Sequence, residues 1–299
     1  MEYVLTSDKL TKIYSGQAVV NEVSLHVQKG DIYGFVGKNG AGKTTFIRLI
    51  LGLAQHSSGS FTLLDGSLGQ ARRRTGSLVE APALYGNMSA EENLRLYCTM
   101  MGYDSSGVSE LLSKVGLENT GKKRAGDFSL GMKQRLGIAM ALVGDPEFLI
   151  LDEPINGLDP TGIVEIRELL LSLQSQGKTI LVSSHILGEL EKIATRYGII
   201  ANGRLVEELS SAQLSEKCID TTDIRTDNPE KAAAVLKEKL GIEKIETTAD
   251  GTIRIADKID NIGKLTNELF NNDIIVAGIT TSGGNAEKYF IDKMEEHAK

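Results

Sequence analysis

The chain is short of several things, and each shortage excludes a class. It has two cysteines in 299 residues, Cys98 and Cys218, far apart and without partners at metal-ligand spacing. Neither a disulfide framework nor a zinc site is expected, and a reducing cytoplasm fits. Tryptophan is absent, 5% of residues are aromatic and five are proline, while 41% are hydrophobic and 24% charged, so a fibrous or disordered chain is excluded. No stretch approaches the roughly 18 consecutive apolar residues of a membrane span, and the start MEYVLTSDKL lacks the basic-then-apolar order of a secretion signal. A protein of this kind working at a membrane needs another chain to cross it. Basic surplus is missing too: the formal net charge is −7, which argues against coating nucleic acid, and no nucleic-acid partner is expected. The dense basic runs, Arg72-Arg73-Arg74 and Lys122-Lys123-Arg124, read as solvated surface and receive no role.

What is present is more specific. Gly37-Lys38-Asn39-Gly40-Ala41-Gly42-Lys43-Thr44-Thr45 fits the phosphate-loop pattern G-x-x-x-x-G-K-[ST]. Ile32, Tyr33, Phe35 and Val36 before it read as a buried strand; Phe46, Leu49, Ile50 and Leu53 after it recur at helical spacing. Glycines at 37, 40 and 42 let the backbone turn tightly and aim N–H groups at phosphate oxygens, and the helix start adds its dipole. Lys43 can reach the β- and γ-phosphates, and the Thr44 hydroxyl suits magnesium, which prefers oxygen ligands shared with phosphates. A nucleoside triphosphate is the expected ligand.

The rest of the chain supplies a frame. Val23, Leu25 and Val27 alternate with polar residues as in a half-buried strand, and the N-terminus reads as antiparallel β. Ser60 to Leu64 before Asp65-Gly66, and Ser77 to Val79 before Glu80, read as short strands. Ser89-Ala90-Glu91-Glu92 predicts a capping box opening a helix through Tyr103, and Val108 to Val115 a second helix. From Leu136 on, helix, strand (Phe148 to Leu151), helix after Pro160 and strand (Thr179 to Ser183) alternate, which implies a parallel sheet with crossover helices. Asn202-Gly203 predicts a hairpin, and a domain boundary is expected near Ser215. Beyond it, a strand near Asp223 to Arg225, a helix from Pro229 to Gly241, a hairpin at Asp250-Gly251, a helix with Ile262, Leu265 and Leu269, a strand from Ile274 to Ile279 and a last helix with Phe290 and Met294 predict βαββαβ plus a trailing helix.

Phe148-Leu149-Ile150-Leu151-Asp152-Glu153 is an apolar strand ending in two carboxylates at the sheet edge where open α/β folds keep their ligands. Asp152 can hold magnesium directly or through water, and Glu153 can orient and deprotonate the water that attacks a γ-phosphate. Between the two motifs lies Phe128-Ser129-Leu130-Gly131-Met132-Lys133-Gln134-Arg135; after the second come Pro154-Ile155-Asn156-Gly157-Leu158-Asp159-Pro160 and, past the next strand, His185. In this order the motifs resemble the ATPase subunit of ABC transporters over roughly residues 3 to 215.

That resemblance implies an α/β fold of P-loop ABC type, a mostly parallel sheet with antiparallel β and helical subdomains, over residues 1–215, with a small α+β domain, ferredoxin-like by guess, over 216–299. It implies that Tyr14 stacks on adenine, that Ser129 and Gly131 bind the γ-phosphate of ATP held by a partner subunit in a head-to-tail dimer, homo- or heterodimeric, that Asp159 lies near that interface, and that His185 contacts the γ-phosphate and orients the attacking water. It also implies ATP and Mg2+ as cofactors, an integral membrane permease as partner and a peripheral position at the cytoplasmic face of the membrane. The chain departs from the family pattern twice. Its signature reads Phe128-Ser129-Leu130-Gly131-Met132 instead of L-S-G-G-Q, and Glu80 stands where a Q-loop glutamine is usual. A glutamate there resembles the ATPases of lantibiotic-immunity and bacitracin-export systems; Glu80 is a candidate for nucleotide or magnesium contact, or for a coupling surface with Pro82, Leu84, Tyr85 and Met88. Alternatives of other classes are a soluble ATPase of the same superfamily acting in translation or DNA repair, and a nucleotide-sensing regulator with the C-terminal domain as output. A single cassette, the lack of heptads and the acidic balance weigh against the soluble reading.

Overall fold

A computed structural model describes residues 2–218, 221–248, 251–256, 259, 261–282 and 286–296. The chain opens with β1 (Tyr3–Tyr14), β2 (Gln17–Val23) and β3 (His26–Gln28). β4 (Ile32–Val36) leads into α1 (Lys43–Leu51), followed by β5 (Ser58–Leu63), α2 (Leu68–Arg73) and β6 (Thr75–Leu78). Three helices come next: α3 (Ala90–Met101), α4 (Val108–Lys114) and α5 (Leu130–Ala141). Then alternate β7 (Phe148–Asp152), α6 (Pro160–Ser175), β8 (Thr179–Ser184), the single turn α7 (Leu187–Leu190), β9 (Arg196–Ala201) and β10 (Arg204–Ser210).

Internal contacts divide the chain into two units. In the first, a six-stranded sheet runs β10-β9-β4-β8-β7-β6; all its pairings are parallel except the β9–β10 hairpin, turned at Asn202-Gly203 with both residues at positive φ. β4, β7 and β8 are buried over their whole length, as expected for strands covered on both faces. Their side chains carry much of the core, each fully buried aliphatic or aromatic group contributing about 1.5–3 kcal/mol. A second, antiparallel sheet is built on β1, which pairs with β2, β3 and β5. The alternating run around Val23 is two strands instead of one. At the break, the Leu25 N–H donates to the Ser7 hydroxyl and the Ser24 hydroxyl accepts from the Lys9 N–H, so backbone groups are satisfied by side chains in place of a continuous ladder. α3 starts with the expected capping box, the Ser89 hydroxyl accepting from the Glu92 N–H and the Glu92 carboxylate from the Ser89 N–H. It ends at Met101 because Gly102 turns left-handed.

The second unit, Ala212–Tyr289, takes in most of α8 (Ser211–Lys217), then β11 (Thr221–Thr226), α9 (Pro229–Leu240), β12 (Ile245–Thr247), β13 (Thr252–Ile255), α10 (Ile262–Asn271) and β14 (Val276–Ser282). This is a βαββαβ order folded as an antiparallel sheet β12-β13-β11-β14 over a core of Ile224, Ala232, Leu236, Ile253, Leu265 and Leu269. Pro229 at the first position of α9 and Gly241 past its end do what their positions predict. Asp250 lies outside the described residues.

The division differs from an accessory domain of 216–299 in two ways. Ser215 sits inside α8, and the last helix, α11 (Ala286–Glu296), returns to the first unit from Phe290 onward. The reason is apolar. Phe290 is fully buried with its ring 5.3 Å from that of Tyr197 on β9, and Glu295 of the same helix pairs with Lys38 at 3.3 Å.

Candidate functional site

Because β4, β7 and β8 are parallel and in register, Val36 opposite Ser184 and Asp152 opposite Ser183, their carboxyl ends gather at one sheet edge. The loop from Gly37 to Gly42 leaves β4 there and feeds α1. Gly42 has φ 108°, and a Cβ on it would lie 2.6 Å from the Val19 carbonyl oxygen; a Cβ on Gly37 would meet the Ile200 carbonyl oxygen at the same distance. The loop is pressed against β2 and β9, and glycine is what lets it fit. Above it opens a cavity of about 200 Å3 lined by Val19, Asn39, Gly40, Gly42, Lys43, Thr44, Thr45 and Glu153. A roomier groove of about 380 Å3 lies elsewhere, among Ala83, Leu84, Tyr85, Leu96, Tyr97 and Met100, and carries no charged group. Of these two, the smaller is the one that carries charged side chains, Lys43 and Glu153, beside the glycine loop.

Within it the charged groups are paired. Lys43 is buried at the base; its Nζ donates to the Gly37 carbonyl at 2.6 Å and lies 3.1 Å from Glu153 Oε1. That second contact is an ion pair without hydrogen-bond alignment, which leaves Oε1, the buried oxygen of a partly buried carboxylate, without a hydrogen bond. The other end, Oε2, is 2.8 Å from His185 Nδ1. Thr44 Oγ1 donates to Asp152 Oδ2 at 2.7 Å, while the Ser183 hydroxyl donates to Asp152 Oδ1. Ser183 also accepts from the Glu153 N–H at 3.0 Å through the same hydroxyl and at 3.2 Å through its carbonyl, fixing Glu153 at φ 50°. Lys43, Thr44, Asp152, Glu153 and His185 thus form one connected set.

Other predicted residues are elsewhere. Tyr14 ends β1 half-exposed, with Lys12 Nζ 4.7 Å from its ring centre, and is not among the lining residues. Glu80, at φ 61°, accepts from Arg48 at 2.6 Å instead of facing the cavity. Ser129 caps α5, accepting from the Met132 N–H, and Asp159 caps α6, accepting from the Gly162 N–H. Neither Ser129 nor Gly131 lines the cavity of its own chain. Around Gly131 the nearest atoms to an added Cβ are 3.9 Å away, so its own subunit's packing leaves room for a side chain there. Three residues escape a sequence reading: Ser183, Arg48 and Val19. Ser183 had a visible signal, a hydroxyl directly after the apolar run Ile180-Leu181-Val182; Arg48 and Val19 had none.

A family model described as ABC transporter matches residues 20–156. The bacitracin transport ATP-binding protein BcrA of Enterococcus faecalis is 42% identical over 296 residues, covering 97% of this chain and 96% of that one. The chain belongs to the ABC transporter ATP-binding proteins. It is an ATP-binding, ATP-hydrolysing cassette with the fold implied by its motifs. The lantibiotic transport ATP-binding protein SrtF of Streptococcus pyogenes is 45% identical over 207 residues, 69% of this chain and 90% of that relative. Among solved structures, an ATP binding subunit of an ABC transporter is 31% identical with a TM-score of 0.63, covering 71% of this chain and 92% of its own. The dimeric post-hydrolysis state of an ATP-binding cassette bound to ADP and Pi, at 23% identity and TM-score 0.62 over 69% of this chain and 98% of its own, shares the fold.

For this ABC ATPase the donor set also fits Mg2+. Among the described residues no three His, Cys, Asp or Glu side chains cluster as a metal cage. One hydroxyl and one carboxylate, Thr44 and Asp152, are the kind of partial oxygen set that suits an ion sharing its shell with phosphates and water. No helix among the described residues is long and apolar enough to cross a membrane.

Proposed function

We propose that this cassette hydrolyses Mg2+-ATP at a site completed by a second cassette and thereby drives a separate permease that exports antimicrobial peptides of the bacitracin or lantibiotic kind. The relatives' names support the substrate class, and the position of Glu153 between Lys43 and His185 carries the chemistry. Lys43 bridges the Gly37 carbonyl and Glu153; a γ-phosphate competes for the same ammonium and so frees Glu153 to act as the base. Glu153 then takes a proton from water as the water oxygen bonds to the γ-phosphorus and the bond to the β–γ bridging oxygen breaks, releasing ADP and phosphate. His185 holds Glu153 Oε2 and orients the water, and the loop amides with Lys43 receive the charge that develops on the phosphate. Thr44 and Asp152 would hold Mg2+, which would supply neutralisation of phosphate charge.

Ser129 and Gly131, outside their own cavity and with space at Gly131, are offered to the nucleotide of a partner cassette. The apolar groove of about 380 Å3 lined by Ala83, Leu84, Tyr85, Leu96, Tyr97 and Met100 suits a permease helix at the cytoplasmic face of the membrane. The test is turnover with a candidate permease reconstituted in vesicles, and peptide resistance in cells expressing both. Lys43→Ala is expected to lose ATP binding, and Glu153→Gln to keep binding while turnover falls by about 10²–10⁴. Full turnover in both variants overturns the assignment of the residues; turnover without protection against either peptide class overturns the export reading.

A further inference from the structure

Glu80 is a carboxylate in the loop that follows β6, and the structure supplies its counter-charge. β6 pairs with β7 in parallel register, Leu78 opposite Leu151, so the residues that follow each strand run level: the loop carrying Glu80 leaves the sheet alongside Asp152 and Glu153. On α1, Arg48 lies four residues after Thr44, one turn further along the same helix face. Arg48 Nη2 donates to Glu80 Oε1 at 2.6 Å, a charge-assisted contact, and this is the ion pair that both side chains make among the described residues. The loop accepts a left-handed backbone at Glu80, φ 61°, a conformation unusual for a residue with a side chain, in presenting the carboxylate to Arg48. Thr44, on the same helix, holds Asp152. One helix thus carries the hydroxyl of the metal edge and, a turn away, the guanidinium that restrains the third carboxylate.

We infer that Arg48 is the positioning residue for Glu80: it compensates that carboxylate and keeps it off the Thr44–Asp152 edge until Mg2+-nucleotide is bound. A glutamine at position 80 needs no such partner; a glutamate within a Debye length of bound triphosphate repels it unless a cation is paired with it. The inference rests on ATP binding at this cavity and adds a residue that the family motifs do not include.

The experiment is equilibrium binding of trinitrophenyl-ATP, read by fluorescence, to wild type, Arg48→Gln, Glu80→Gln and the double variant, with EDTA or with Mg2+, at low and high salt. In EDTA at low salt Arg48→Gln is expected to weaken binding about fivefold. The loss shrinks with added Mg2+ and with salt, because it is a screened repulsion. Glu80→Gln alone binds at least as tightly as wild type, and the double variant returns to that level. A double variant as weak as Arg48→Gln overturns the inference, since Arg48 then acts on the nucleotide or on the fold directly. So does an Arg48→Gln affinity equal to wild type, or a loss indifferent to salt. Thermal unfolding of each variant checks the fold, and Arg48→Lys, which keeps the charge, is expected to retain most of the affinity; loss in Arg48→Lys equal to that in Arg48→Gln also refutes charge compensation. If wild type itself binds no probe, the ATP-site reading falls and this inference with it, whereas wild-type binding that Arg48→Gln leaves unchanged overturns this inference alone.

Discussion

Ser183 is fully buried and holds both acids of the site, and its removal has a calculable cost. Ser183→Ala deletes a hydroxyl donor to the Asp152 carboxylate, a contact to a charged group worth about 1.5–3 kcal/mol, and an acceptor for the Glu153 N–H worth about 0.5–1.5 kcal/mol. The second loss is partial, because the Ser183 carbonyl still accepts from the same N–H at 3.2 Å, and Thr44 still holds the other oxygen of Asp152. A net destabilisation of about 2.5 kcal/mol follows, which for a unit of this size lowers Tm by about 6 °C. The assay is thermal unfolding with and without Mg2+-ATP, run beside Ser184→Ala, whose hydroxyl accepts from the Ile186 N–H and touches neither acid of the site. Because this hydroxyl orients the carboxylate that faces the metal edge, stabilisation by Mg2+-ATP should be smaller in Ser183→Ala than in wild type, and turnover should fall because Glu153 is less firmly placed. A Tm shift under about 1 °C, or a shift equal to that of Ser184→Ala, refutes the claim that this hydroxyl organises the acids.

Two further outcomes test the fold. Phe290→Ala should cost about 3–5 kcal/mol and lower the urea midpoint of the unit that contains β9, because it empties a fully buried ring site against Tyr197; an unchanged midpoint refutes the return of α11 to that unit. Arg74 forks onto Glu147 and also binds Asp65, and hydrogen bonds from its guanidinium hold both carboxyls below their usual range. A depressed folded pKa means stability that is present above the unfolded value and lost as pH falls through the folded one. The stability gap between wild type and Arg74→Gln should therefore be widest near neutrality and close below about pH 4, measured as urea midpoints; a gap independent of pH refutes it.

How much of this could be read from the sequence depends on the range of the interaction involved. The glycine loop, the Ser89–Glu92 capping box, the Asn202-Gly203 turn and the Pro229–Gly241 helix are local devices, whose geometry is decided within a few residues, and each is found where its pattern stands. The union of Lys43, Asp152, Glu153 and His185 was legible because parallel strands deliver their carboxyl ends to one edge. Ser183 was read as part of a strand only; its bond to Asp152 is fixed by the β7–β8 register, which no spacing reveals. Arg48 was one polar position on an amphipathic helix. Phe290 was read correctly as the apolar face of a last helix, but amphipathicity says that a face is buried and not against what. The Val23–Val27 run misled because alternation persists across a strand break when side-chain hydroxyls take over the ladder.

Gly137 in the middle of α5 deserves a mechanical reading. A Cβ there would stand 2.7 Å from Cβ of Pro82 and 3.0 Å from Cδ1 of Leu78, so the helix backbone lies directly on the segment that follows β6, with no compressible side chain between them. Flexible spacers absorb small displacements by changing rotamer; bare backbone against a proline ring has no such slack. A push on Pro82 is therefore passed to a stiff rod whose serine tip is eight residues away, about 12 Å at the helical rise. Lever and fulcrum are thereby built from two residues, one lacking a side chain and the other unable to bend.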